Sequence, residues 1–508
     1  MSGAETKHPK HPEAIKARAE AVLARYKPLI ADWDAFLDVL VRPKPTCIVA
    51  NAARLDRDRL AGLLAGGPAD LTPVPWDRAA LRVPADARPG TWWAFLAGLY
   101  QVQEEASLLP TAMLDPQPGE RVLDLCAAPG GKAARIAMAV GPEGTVIANE
   151  KEPRRLSAVR DKMKRLGLTN LTSTVHDGGD YPLEAGAFDR VLVDAPCTSE
   201  GTKFRQGAGY QGSEPEFLSW IAGQQAALLR RAAQLVKPGG RVVYATCSFA
   251  PEENEAVVDR VLAELDGGLQ PVAVRPPGLQ PAAPVASWGG RAFDPGVQAG
   301  LRLWPHTHRT GGFFAIAFDK PADAPPPAAP PSRHVDAWSG DPRQWIGPVL
   351  EKFDIAGDPL AGLRVIERGD DLQLVAAGHS APAKPAPVST GVPARRARNR
   401  TPKPSTALAL MVGGGARARV VEVTAAQRDA YQRRQPIQPA PDQLAACQAR
   451  AHLSDALRGA QDGGGDGMAG PAQGYVILRY RGVPLGVGFL RPGPPAEIES
   501  QFPRAWKL

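Results

Sequence analysis

The chain has 508 residues, 44% of them apolar, which allows about two to four domains at roughly 150 residues each and a sizeable core. Its five cysteines include no CxxC pair; this argues against a disulfide framework or a zinc site and suits a reducing, cytoplasmic compartment. The net charge of +7 favours a polyanionic partner. No apolar run approaches the roughly 20 residues of a membrane span, and the polar N-terminus carries no signal-peptide pattern.

In chain order, residues 13–41 read as helical. Ile15, Val22, Leu23, Tyr26, Ile30, Phe36, Leu37 and Leu40 recur at near-helical spacing, and Pro28 is expected to divide the segment into two helices. CIVANAARLDRDRLAGLLAG reads as a strand followed by a helix, so residues 1–100 form a small α/β unit. Over 101–318, the short β-rich runs RVLDLC, GTVIANE, LTSTVHD, FDRVLVDAP, RVVYATCS and FFAIAF alternate with amphipathic segments. That alternation predicts an α/β core of Rossmann-like type with a mostly parallel sheet. A Pro/Ala-rich linker is expected at 319–334. A β-rich region at 335–508 follows, with a basic low-complexity insert near 379–405 and a glycine-rich loop at DGGGDGMAG.

The first chemistry-bearing motif is RVLDLCAAPGGKAARIA, residues 121–137. A strand ends near Asp124, a turn of small residues follows, and a helix opens near Gly131. Such a turn lets a ligand approach the backbone, and the helix start favours an anionic group. The candidate contacts are Cys126, Ala127, Ala128, Pro129, Gly130, Gly131 and Lys132. The next strand ends at Glu150, where a carboxylate can accept from ribose hydroxyls. The third ends at His176-Asp177, where Asp177 can accept from an adenine amino group. Acids at three successive strand ends suit an adenosine-containing cofactor.

Two further strand ends carry thiols: Asp194 and Cys197 in FDRVLVDAPCTSEGT, and Cys247 in GGRVVYATCSFAPEENEAVV. A single cysteine reads as packing, as Cys126 does inside its motif. Two at corresponding ends of one sheet, beside Asp194, point to chemistry. A thiolate adding to C6 of a cytosine makes C5 an enamine able to attack a methyl sulfonium. Asp194 is placed to stabilise charge at N3, and a second thiol can act as the base or assist release.

At these residues the sequence resembles the RNA cytosine-5 methyltransferases of the Fmu/Nol1/Nop2/Sun group. DLCAAPGGK, DAPC and ATCSF with PEENE match the family's cofactor, first-cysteine and second-cysteine motifs, over roughly residues 90–318. The resemblance implies S-adenosyl-L-methionine (SAM) as cofactor, Cys247 as nucleophile and Cys197 as the group aiding release. It also implies cofactor-binding roles for Lys132, Arg155 and Asp194, and Gln103 in LYQVQEEASLLP matches a motif just before the core. WPHTHRTGGFFAIAF resembles the closing hairpin. YVILRYRGVPLGVGFLR and FPRAWKL resemble the end of the longer bacterial 16S rRNA members, which carry a C-terminal PUA-like RNA-binding module. TSEGTKF after Cys197 departs from the family, where Ser or Gly followed by Gly is commoner.

The partner expected is RNA, rRNA before tRNA, bound by a monomer. A basic helix (Arg154, Arg155, Arg160, Lys162, Lys164, Arg165) and Arg395, Arg396, Arg398 and Arg400 are candidate backbone contacts. Two other classes compete: a noncatalytic RNA-binding assembly factor, which would have lost a cysteine, and a DNA cytosine methyltransferase. The latter would use the PC cysteine with a separate ENV motif, absent here.

Overall fold

A computed structural model describes residues 12–43, 46–67, 69–203, 214–325, 332, 336, 339–355, 357–396, 403–447 and 473–506. Its centre is a nine-stranded sheet, seven of whose strands are β1 (Arg121–Asp124), β2 (Thr145–Glu150), β3 (Leu171–Val175), β4 (Phe188–Asp194), β5 (Val236–Thr246), β6 (Gln270–Val272) and β7 (Phe313–Asp319). Their order is β3-β2-β1-β4-β5-β7-β6. The first five are parallel, and β7 is antiparallel to both β5 and β6.

The strands read as near-continuous apolar runs because helices cover both faces. Four of these helices are α1 (Gly131–Val140), α2 (Leu156–Leu166), α3 (Pro215–Leu235) and α4 (Glu255–Leu265). Val122, Val146, Leu192 and Val243 pack with Ile136 of α1 and Val159 and Met163 of α2. Their chain neighbours Leu123, Ile147, Val191 and Val242 pack on the other face with Leu229 of α3 and Val258 of α4. The period of two in a strand divides one apolar run between two cores. The chain order reverses between β1 and β4, so the crevice for a ligand opens beyond their carboxyl ends.

The N-terminal helices Pro12–Leu23 and Trp33–Leu40 flank a 3-10 turn, Ala24–Leu29, which holds Pro28. Asp32 caps the second helix by accepting from Ala35 N. Tyr26, Phe36 and Leu37 pack on Phe249 and Trp304 of the core. The N-terminal unit is a four-stranded antiparallel sheet ordered Thr72–Pro73, Ala80–Val83, Thr46–Ala50, Tyr100–Gln103. Its last strand continues past residue 100, because Cys47 pairs with Gln103. That strand touches the core: Gln101 Nε2 donates to Gly131 O at 3.1 Å.

The stretch expected as a basic low-complexity insert, near 379–405, is structured in part. Pro387–Thr390 pairs antiparallel with β3 and extends the central sheet, and Val392–Arg396 pairs with Asp371–Ala376. The physical reason is the open edge of β3, whose backbone groups need partners. Ser173–Ser389 (2.6 Å) and Thr172–Thr390 (3.1 Å) hydroxyl pairs hold the seam; residues so polar give no apolar periodicity to read. A last sheet joins Val420–Glu422, Gly474–Tyr480, Val483–Arg491 and Glu497–Ser500. DGGGDGMAG, Arg398, Arg400 and half of the 319–334 linker lie outside the described residues. Among the described residues, no helix is long and apolar enough to cross a membrane.

Candidate active site

The loop after β1 is shaped for close approach. Gly130 sits at φ 93, and a Cβ there would come within 3.1 Å of Val159 Cα. Only glycine turns the chain into α1 this close to α2. Asn149, fully buried, ties three strand ends together: its Nδ2 donates to Leu125 O (3.0 Å) and His176 O (2.9 Å), and its Oδ1 accepts from Thr174 (3.0 Å). Sequence reasoning passed over Asn149 beside Glu150; a polar residue at the buried end of an apolar strand was the available signal.

Glu150 is buried at the tip of β2. Its Oε1 accepts from Glu152 N (3.1 Å) and Arg155 Nη1 (3.2 Å), and Arg155 Nη2 donates to Ala128 O (3.0 Å). Glu150 Oε2 and Asp124 Oδ2 are buried and accept no hydrogen bond among the described residues. Burial, then the charge of Asp194, pushes the Asp124 carboxyl up to about 7. The Arg155 guanidinium ion-pairs with Glu150 Oε2 at 3.1 Å, so Asp124 Oδ2 is the acceptor left without a nearby donor, and the carboxylates beside the glycine turn fit a ligand that brings hydroxyl or amino donors. Asp177 accepts from Gly179 N (3.0 Å) and from Lys151 (2.7 Å), whose hydrogen bond holds this carboxyl below its ordinary range. An adenosine-containing cofactor therefore fits these residues, sharing Asp177 with Lys151.

The thiols meet at the ends of β4 and β5. Asp194 pairs in register with Ala245, and Ala195 N donates to Ala245 O at 2.9 Å. The two following turns bring Cys197 Sγ and Cys247 Sγ to 3.4 Å. Lys132, from α1, donates to Asp194 Oδ2 at 2.6 Å. The hydrogen bond shared with Cys197 lowers the Cys247 thiol against the opposing effects of burial and of Asp194; Ser199 and Lys132 lower it further. The same hydrogen bond, and then burial, raise Cys197. The two thiols are thus driven in opposite directions, Cys247 toward the reactive thiolate form and Cys197 toward the thiol.

Two buried carboxylates hold the thiol loops. Glu253 accepts from Thr198 N (3.0 Å), Thr198 Oγ1 (2.5 Å), Ser248 Oγ (2.5 Å) and Gln225 Nε2 (2.9 Å). Glu200 accepts from Tyr26 OH (2.9 Å) and Phe249 N (3.3 Å). Glu200 thus anchors the N-terminal arm to the Cys197 loop. Gly201 N donates to Cys247 O at 2.9 Å, and a Cβ on Gly201 would come within 2.4 Å of Gly312 O. Ser199 lies at φ 61, in the left-handed region. That conformation accounts for the commoner glycine there and makes this departure a strained one.

Other expected residues fall elsewhere. Cys126 packs against the β1–β4 core; burial, then Asp124, raises its thiol well above the ordinary value. Cys47 and Cys447 are buried outside the site. Gln103 donates to Ser107 O at 2.9 Å, and its buried Oε1 accepts no hydrogen bond among the described residues. The basic helix is not one RNA-facing stripe. Arg165 is buried, donating to Phe95 O and Tyr100 O, and Lys162 donates to Pro129 O. Arg155 serves Glu150. These side chains join elements of the core, which spacing along the helix could not reveal. Arg395 donates to Trp345 O at 3.0 Å. No cluster able to hold a metal ion occurs among the described residues.

The strand order and the acids at the strand tips define a Rossmann-like, SAM-dependent methyltransferase core. The family model for "16S rRNA methyltransferase RsmB/F" matches residues 111–319. A 28S rRNA (cytosine-C(5))-methyltransferase of Mus musculus is 35% identical over 324 residues, 62% of this chain and 40% of that protein. A tRNA (cytosine(49)-C(5))-methyltransferase of Pyrococcus abyssi is 31% identical over 314 residues, 61% of this chain and 98% of that protein. The crystal structure of a methyltransferase homologue from Pyrococcus horikoshii matches with a TM-score of 0.53 at 27% identity, covering 61% of this chain and 99% of that one. The match thus spans less than half of the mouse relative and nearly all of the archaeal one. The chain belongs to the RNA (cytosine-C5) methyltransferase family that includes RsmB/F.

Proposed function

We propose that this protein transfers a methyl group from SAM to C5 of a cytosine in RNA, with rRNA of the small subunit as the preferred substrate. The observation that carries the reading is the thiol pair, 3.4 Å apart at adjacent strand ends, beside the Lys132–Asp194 ion pair. When bound, SAM supplies an electrophilic methyl group. Glu150 and Asp177 hold its adenosine part, with Arg155 orienting Glu150, and the Cys126–Lys132 turn cradles the remainder. Cys247 adds to C6 of the base, forming a C–S bond and making C5 nucleophilic. As the C–S bond forms, the Lys132–Asp194 pair delivers a proton from Asp194 to N3, which neutralises the charge that builds there, and takes it back when the bond breaks. Loss of the C5 proton to a base then expels Cys247, and Cys197 assists that departure through the proton it shares with the neighbouring sulfur.

The target base must leave any helical stack to reach Cys247. The C-terminal sheet, read as a PUA-like module, would hold the flanking RNA. A tRNA substrate is the second reading, favoured by the near-complete coverage of the archaeal relative. A noncatalytic assembly factor is disfavoured by the intact, polarised thiol pair. The test is methyl transfer from labelled SAM to total small-subunit RNA and to tRNA. Label in a single rRNA fragment, as 5-methylcytosine, supports the first reading; label in tRNA alone moves the substrate to tRNA. RNA binding without transfer to either overturns the activity.

A further inference from the structure

A second cavity, of about 600 Å³, opens at the seam between the N-terminal unit and the C-terminal sheet and shares no residue with the active site. Trp93 comes from the N-terminal side and Tyr480 from the C-terminal sheet; their rings meet edge to face at 5.1 Å. Two guanidinium groups flank Tyr480: Arg428 at 4.6 Å and Arg481 at 5.4 Å from the ring centroid. Arg433, exposed, lines the same opening. The carboxylate among the lining residues is Asp429, which Arg428 Nε reaches at 2.8 Å. The wall also holds Gln432, only 2% exposed, whose Nε2 is buried and donates to no acceptor among the described residues.

Each part has a chemical meaning. A buried amide donor with no acceptor is unfavourable unless a ligand supplies one. An aromatic wall gives a base a face to stack on, and arginines beside it take flanking phosphates. A nucleobase offers ring-nitrogen and carbonyl acceptors of the kind Gln432 lacks. We propose that this groove binds one unstacked nucleotide of a single-stranded segment of the substrate RNA, with its base between the aromatic wall and Gln432 and its phosphates on Arg433 and Arg481. The inference rests on the RNA-substrate reading above and adds where a nucleotide remote from the target cytosine is held. Because its two walls come from opposite ends of the chain, binding there also fixes the C-terminal sheet against the N-terminal unit.

The test uses the full chain and a single-stranded 12-nucleotide RNA carrying 4-thiouridine. After irradiation, cross-linked peptides should include Trp93 or Tyr480. The double variant Arg433→Ser/Arg481→Ser should weaken binding about tenfold, with a salt slope shallower by about 1.4, at roughly 0.7 per phosphate contact on a single strand. Arg88→Ser, outside the groove, serves as the charge-loss control and should bind as the parent does. Cross-links confined to the region around Cys197 and Cys247 overturn the proposal, as does an unchanged salt slope in the double variant. The cross-link map needs no variant, so a folding defect cannot mask the answer. Methyl transfer by the parent chain, measured separately, separates the two claims: transfer with no groove cross-link sinks the groove alone, whereas no transfer to any RNA sinks the activity.

Discussion

Glu253 offers the sharpest perturbation of the thiol site that does not touch a sulfur. Its carboxylate is fully buried and takes four hydrogen bonds, two from Thr198, one from Ser248 and one from Gln225. Thr198 follows Cys197 and Ser248 follows Cys247, so one carboxylate sets the spacing of both thiols. In Glu253→Ala these donors lose their acceptor inside the core. At roughly 1 kcal/mol for each hydrogen bond and about 1–3 kcal/mol for a buried donor left unpaired, the destabilisation should be roughly 3–5 kcal/mol. Glu253→Gln keeps the shape and one accepting oxygen and should cost about half as much. Denaturant unfolding gives the stability; methyl transfer under folded conditions gives the activity. We expect transfer to fall by at least about tenfold in Glu253→Ala, with partial recovery in Glu253→Gln, since small misplacements of reacting groups are expensive. An Ala variant with the parent's unfolding midpoint and full transfer would refute the clamp.

Three further outcomes follow from the same geometry. In Cys197→Ala, Cys247 loses the hydrogen bond that chiefly lowers it, so the pH midpoint for its alkylation by iodoacetamide should rise; an unmoved midpoint would reject the shared proton. In Ser199→Gly, relief of the left-handed strain should stabilise the fold by about 1 kcal/mol, while loss of the hydroxyl raises Cys247; a drop in unfolding midpoint would show that the strain was misread. For Asp124, the folded carboxyl stands near about 7 against an ordinary 3.8. Its contribution to stability is full below about pH 4 and is lost as pH rises to about 7, by at most about 1.4 kcal/mol for each pH step of one across that window. The chain without cofactor should therefore weaken across this window and Asp124→Asn should weaken less, as urea unfolding at several pH values would show.

The candidate site was more legible in the sequence than the architecture around it. Apolar runs ending in Asp124, Glu150, Asp177, Asp194 and Cys247 carry both the strand pattern and the polar residue at its tip, so strand and site could be read together. The clamp was harder to see. In the sequence Glu252 and Glu253 are simply two acids of PEENE, yet Glu253 lies beneath both thiol loops and helix α4 begins only at Glu255. The seam through Pro387–Thr390 was hidden for a different reason: its strand is held by hydroxyl pairs and backbone, which leave no hydrophobic signature. Arg165 and Lys162 misled in the opposite direction. Long cationic side chains can turn inward to carbonyl groups, and helical spacing alone does not say which do.

The account's central claim is the division of labour between the two thiols, and covalent trapping tests it most directly. Parent chain, Cys247→Ala and Cys197→Ala would each be incubated with SAM and small-subunit RNA, then resolved under denaturing conditions. We predict that Cys197→Ala retains RNA as a stable covalent adduct through Cys247, that Cys247→Ala forms no adduct and transfers no methyl group, and that the parent turns over without accumulating adduct. An adduct in Cys247→Ala, or full methyl transfer by it, would contradict the account.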